Sequence, residues 1–260
     1  MDIRKRLKKL YSFRQTLWNM SLRQLRLKYS GSALGLWWAV ITPCLLALSI
    51  NFIFSRVFNM QEADFTFFVL SGILVWFFFS STLSELANCF TANAPLLRQC
   101  AFPREIIPLA YIIANFLNFL IGFLFLLPLF IIAEAGAFKM LPLLLVVFLF
   151  NFMFVAGLGI MFSTANVFFR DLGHLLPVGL MIWFWITPIF YRLEMLDFPY
   201  RWICLLNPLS YYTVAYQRLL FEGKAPSAGT LSLCFFVGCL FIFYGYRFFL
   251  KKEKALLKRL

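Results

Sequence analysis

An all-α fold that crosses a membrane several times is expected here, on three grounds. The 260-residue chain is 62% hydrophobic and 13% charged, with a mean hydropathy of +0.83. A soluble domain is about half apolar and about a quarter charged, so this much apolar surface cannot be hidden in a water-facing fold. Six charge-poor runs are each long enough to cross a bilayer, which takes about 20 helical residues. The bases gather in the segments between alternate runs. The net charge of +13 therefore reads as topology, and nucleic acid is not expected as a partner.

Residues 1–33 form a first, charged segment. It mixes bases with Leu7, Leu10, Tyr11, Leu17, Trp18 and Leu25, a helical stripe interrupted by Arg14. Two readings fit: an amphipathic helix in the cytoplasmic interface with its bases towards anionic membrane lipids, or a basic flank that only sets orientation. It is too charged for a signal peptide and lacks an apolar core followed by a small-residue cleavage site.

The membrane domain, 34–250, holds the six runs. The first covers residues 34–54, and the second covers 65–84 and continues past Glu85 towards Phe90. The third lies within 106–133 and the fourth within 140–169. The fifth, 172–191, sits in the stretch RDLGHLLPVGLMIWFWITPIFY, which contains Pro177 and Pro188 and crowds Trp183, Phe184 and Trp185 together. The sixth is about 230–246, and 251–260 is a basic tail.

With the N-terminus inside, eighteen of the 24 Lys and Arg fall on the inner side. The acids lean outward: Glu62, Asp64, Glu134, Glu194, Asp197 and Glu222. The positive-inside rule places both termini in the cytoplasm.

Between the fifth and sixth runs, 192–227 is too apolar for an ordinary external loop. Asn207-Pro208 divides it, because the residue before proline disfavours helix. Two short re-entrant helices dipping into the outer leaflet fit this segment. Non-helical backbone at that depth must be covered by protein or face water.

Recognisable catalytic chemistry is missing from the sequence. The six cysteines form no CxxC pair and there is a single histidine, so the cysteines read as apolar packing residues and no metal site is expected. No GxxxxGK[ST] phosphate loop, HExxH or GxSxG occurs, so no cofactor is expected in this chain and it reads as no enzyme. Glu85 and His174 are the main ionisable groups in the runs, too few for a proton-driven pump. Glu85 either faces a polar cavity or lies near the cytoplasmic end of its helix; the second is favoured by Asn88, Asn93 and Arg98 close behind it.

Active transport would then need energy from a cytoplasmic partner, and a partner needs a handle. The loop TANAPLLRQCAFPRE (91–105) offers one. Pro95 and Pro103 flank an apolar patch of Leu96, Leu97, Cys100 and Phe102, with Arg98, Arg104 and Glu105 beside it. The plainer alternative is an interfacial turn anchored by its arginines.

Four motifs in order, KYSGSALGLWWAVITP (28–43), AFPREIIPL (101–109), NVFFRDLGHLLPVGLMIWFWITPIFY (166–191) and NPLSYY (207–212), resemble those of type 2 ABC permeases. The similarity is greatest to the subfamily exporting lipid-linked polysaccharide: O-antigen, teichoic acid and capsule chains. It covers nearly the whole chain.

The resemblance implies a homodimer of six-helix half-transporters, each bound to a separate ATPase subunit that holds ATP and Mg, in a bacterial inner membrane. It also implies a coupling helix in the loop, with Leu96, Leu97, Arg98, Gln99, Phe102, Pro103, Arg104 and Glu105 meeting the ATPase. The first and fifth spans would line the channel. Trp37, Trp38, Trp183, Trp185 and Tyr191 are the candidate sugar-stacking residues, against the alternative of an interfacial aromatic belt. Arg170 and Asp171 mark the cytoplasmic gate. A type 2 exporter of a drug or small lipid, and a non-transporting assembly subunit, are the rival expectations.

Overall fold

A computed structural model describes residues 3–56, 64–99 and 102–259, apart from the side chains of residues 3, 4, 7 and 257. Glu62, Cys100 and the side chain of Leu7, named above, lie outside the described residues. Every regular element within them is helical.

Helices α1 (Ile3–Ser12) and α2 (Arg14–Tyr29) precede a turn at Gly31 and Gly35, whose φ angles of +79° and +51° favour glycine. A 3-10 turn, Gly35–Trp37, then leads into α3 (Trp38–Arg56). Next come α4 (Phe65–Ala87), the short α5 (Cys89–Ala92) and α6 (Ala94–Gln99), and α7 (Ile106–Ala133). After the short α8 (Gly136–Lys139) follow α9 (Leu141–Phe168), α10 (Leu172–Ile186), α11 (Tyr200–Leu206), α12 (Pro208–Leu220) and α13 (Ala228–Arg259).

Among the described residues, five helical segments are long and apolar enough to cross a membrane: Gly35–Arg56, Phe65–Ala87, Ile106–Ala133, Leu141–Phe168 and Ala228–Leu256. They match five of the six predicted runs. The fifth run departs from expectation. Its helix, α10, has 15 residues, about 22 Å against a hydrocarbon core of about 30 Å.

Pro188 is the cause. Thr187, which precedes it, is extended at φ −86° and ψ 132°, as a residue before proline is driven to be. From there Thr187, Pro188, Ile189 and Phe190 stay buried, with Ile189 against Gly72 of α4. Gly72 permits this: a Cβ there would lie 3.2 Å from both the Ile189 Cα and the Thr213 side chain.

Helices α4 and α9 form the inside of the bundle, and most of α4 is buried. Along α9 runs α13, and glycines set their distance. A Cβ on Gly157 would meet the Phe241 carbonyl carbon at 2.2 Å, and one on Gly238 the Phe150 oxygen at 2.9 Å. Residue numbers rise together along this contact, so the two helices are parallel. The helix α13 continues unbroken from the last span through residues 251–259 of the basic tail. Its end folds over the end of α9, with Lys252 and Arg259 lying 5.4 and 5.2 Å from the Phe168 ring.

Candidate functional site

Three sets of residues carry polar chemistry inside this apolar bundle. The first sits where α1 and the end of α13 meet the loop. Helix α6 is held by Leu97, buried in a small apolar cluster with Ile107, Ile112, Phe249 and Leu256, against which Phe102 packs. That anchoring sorts the eight predicted coupling residues. Arg98 and Gln99 are exposed, Leu96, Phe102 and Arg104 are half-buried, and Leu97, Pro103 and Glu105 are buried.

Arg104 turns inward. Its Nη1 donates to the Glu253 carbonyl oxygen at 3.3 Å and lies 3.6 Å from the Glu253 Oε1. Glu105 Oε1 accepts from Arg6 Nη1 at 2.6 Å and from the Tyr246 hydroxyl at 3.4 Å. Arg6 also pairs with the Glu253 carboxylate. Burial by itself lowers the pKa of Arg6. The hydrogen bond to Glu253 and the charges of Glu105 and Glu253 outweigh it and raise the guanidinium above its ordinary value, so it stays charged.

The second set lines a cavity of about 280 Å³ between α2, α3, α4 and α7. Glu85 faces this cavity, the alternative less favoured from the sequence. Its Oε1 lies 2.9 Å from Lys28 Nζ, and its Oε2 accepts from Asn115 Nδ2 at 2.8 Å. Lys28 also donates to Asn115 Oδ1 at 2.5 Å, and the Tyr29 hydroxyl donates to Asn118. Trp38 stands at the rim, its Nε1 donating to Ser32 Oγ at 3.0 Å.

Sequence reasoning counted Lys28 only as a base and passed over Asn115 and Asn118. Their spacing of three in an apolar run was the available signal, since it puts both on one helix face.

The third set surrounds the break after α10. Asn207 Oδ1 accepts from Trp183 Nε1 at 2.8 Å and from the Leu209 amide at 3.0 Å, capping α12. Asn207 Nδ2 donates to Thr187 Oγ1 at 2.9 Å, which donates to the Trp183 carbonyl at 2.8 Å. Gln217 Nε2 donates to the carbonyls of Pro188 and Ile189 at 2.9 and 3.3 Å. The carbonyls freed by the break are thus satisfied by protein, as backbone at membrane depth requires.

The five predicted stacking aromatics do not share one surface of the single chain. Trp38 lines the cavity, and Trp37 is exposed beside Phe125. Trp183 turns into the bundle against Phe79, while Trp185 faces outward, edge-on to Phe190. The Tyr191 hydroxyl donates to the Trp185 carbonyl at 3.1 Å. Arg170 and Asp171 are exposed where α10 begins. Among the described residues no group of three His, Cys, Asp or Glu could hold a metal ion.

Residues 15–221 match the family described as ABC-2 type transporter. The chain is 30% identical over 230 residues to the O-antigen export system permease protein RfbA of Klebsiella pneumoniae, covering 88% of each chain. It is 31% identical over 231 residues to the protein of that name from Myxococcus xanthus, covering 86% of this chain and 87% of the relative. The polysialic acid transport protein KpsM of Escherichia coli is 24% identical over 243 residues, covering 91% of this chain and 93% of its own length.

Proposed function

The chain belongs to the ABC-2 type transporter family, and on that premise we propose that it is the permease subunit of an ATP-driven exporter of lipid-linked polysaccharide in the inner membrane of a bacterium. One observation carries the substrate class. The similarity to O-antigen export permeases runs over 88% of both chains, so it spans the spans, the loop and the re-entrant region together.

The geometry supports the rest of the reading. Because α9 and α13 are parallel, the chain must return across the bundle between them. Helix α10 and the buried strand of backbone after it make that return and serve as the sixth crossing. Helix α12 is the re-entrant element and α11 its outward companion. Helix α2 packs on α7 and serves as the interfacial helix.

Helix α1, the end of α13 and the loop share one end of the bundle, where Arg6, Glu105 and Glu253 meet. The charge count of the sequence puts that end in the cytoplasm. A separate ATPase, two copies on a homodimer, holds ATP and Mg and meets the loop at Arg98 and Gln99. This chain supplies no cofactor site and no catalysis. Trp37 and Trp185, exposed on the single chain, would face the partner copy and the passing polymer, whose sugar rings stack on flat aromatic faces.

Removing the chain from its own bacterium tests the substrate. We expect a long polysaccharide to vanish from the cell surface and to accumulate, lipid-linked, inside. An unchanged surface polymer with lost export of a drug or small lipid would contradict the reading, as would an unchanged cell.

A further inference from the structure

We propose that Glu253 is a positioning residue: with Arg6 it clamps the loop 94–105 to both chain ends, so that movement of the loop is delivered to the α9–α13 pair as well as to α7. The inference rests on reading that loop as the ATPase-facing one.

Four charged groups from three distant parts of the chain converge here. Arg6 comes from α1, Arg104 and Glu105 from the end of the loop, and Glu253 from the continuation of α13. Two cations meet two anions, so the cluster is neutral. Their side chains are 11%, 26%, 7% and 17% exposed, respectively. Exposed ion pairs contribute little, but covered, charge-assisted bonds fix geometry, and removing one partner strands the others.

The orientation of these residues is selective. Lys5, Lys8 and Lys9 on α1 are exposed while Arg6 turns in. Glu253 is the single acid in the last ten residues, and its neighbours Lys252 and Lys254 are exposed. A basic tail that only set orientation would not need an acid there, nor place it between two arginines.

The mechanical consequence follows from packing. Gly157, Gly238 and Gly245 bring α9 and α13 into backbone contact, so the two act as one stiff body. The Phe90 ring stacks on Phe249 at 6.1 Å, adding contact between α5 and α13. Without Glu253, the loop would keep α7 and the apolar anchors Leu97 and Phe102, but Arg104 would lose its side-chain partner on α13.

The test uses the chain with its ATPase, from native cells. Glu253→Gln, Arg6→Glu, Glu253→Arg and the double reversal Arg6→Glu/Glu253→Arg are compared with the wild type. ATPase retention, ATP turnover of the purified complex, surface polymer and thermal midpoint are measured.

We expect the three single variants to keep the ATPase and its turnover but to lose surface polymer by roughly fivefold or more. The double reversal restores opposite charges between positions 6 and 253 but sets like charges against Glu105 and Arg104, so it is expected to recover part of the polymer lost in the single reversals. Single variants with a lowered midpoint but unchanged polymer would make the cluster merely structural and overturn the proposal. Loss of the ATPase from these variants alone would place the cluster in docking and overturn it equally. If the wild type retains no ATPase, the reading of the loop fails first and this inference falls with it.

Discussion

Asn207 binds the Leu209 amide, the Trp183 indole and the Thr187 hydroxyl with one side-chain amide. Asn207→Ala removes a helix cap and strands a buried indole N–H, which together cost about 1–3 kcal/mol. We expect a clearly lowered thermal midpoint in detergent. Asn207→Asp can still accept from Leu209 and Trp183 but cannot donate to Thr187, so its midpoint should fall between the two; equal midpoints for all three chains would contradict this account. A second test concerns Lys28 and Glu85. Because they share one site with Asn115, the double variant Lys28→Ala/Glu85→Ala should be less destabilised than the sum of the singles, read from the same midpoints. The break at Asn207-Pro208 was legible because proline constrains its predecessor. Its bond to Trp183, 24 positions away, was not, since nothing local records which indole the amide will meet.

Helices are held at two kinds of contact here, glycine approach and carbonyl repair. At Gly157 an added Cβ would meet α13 backbone at 2.2 Å, and backbone cannot step aside as a side chain can. Gly157→Ala should therefore force α9 and α13 apart, costing about 1–3 kcal/mol or more and lowering the yield of folded protein; wild-type yield and midpoint would show that the close packing is unimportant. Gln217→Leu keeps the side chain's bulk but leaves the Pro188 and Ile189 carbonyls without their donor. A loss of about 1–3 kcal/mol is expected, measured by the same unfolding assay. Four spans were readable within a few residues, because length and hydropathy define a crossing helix; the sixth was readable at its start, but its helix runs on to Arg259 instead of ending near residue 246. The fifth was not, because an apolar run reads the same whether it crosses as one helix or stops and folds back. Pro188 was visible in the sequence, but nothing local set it apart from Pro177, which stays inside α10. Charge marks the tail off in the sequence, and its Lys-, Ala- and Leu-rich residues favour the helix that carries α13 on to Arg259.

For the whole molecule, the chain has a stiff interior with a loop presented at the end that also carries α1 and the end of α13. The loop was found from two prolines around a mixed apolar and basic patch, but its working face was not. Leu97 and Pro103 are buried and Arg104 points inward, which leaves Arg98 and Gln99 outward. That division depends on a cluster joining residues 6 and 253, a separation no local pattern spans. The aromatics proposed to line a channel were picked by type, and the single chain scatters them; the proposed homodimer would have to bring them onto a common surface. The most direct measurement is recovery of an ATPase on the tagged chain from its native membranes, for the wild type and for Arg98→Glu. We predict that a P-loop ATPase accompanies the wild type and is depleted about tenfold by the reversal, a loss of about 1.4 kcal/mol in binding. A wild-type chain purified without any ATPase would contradict the account.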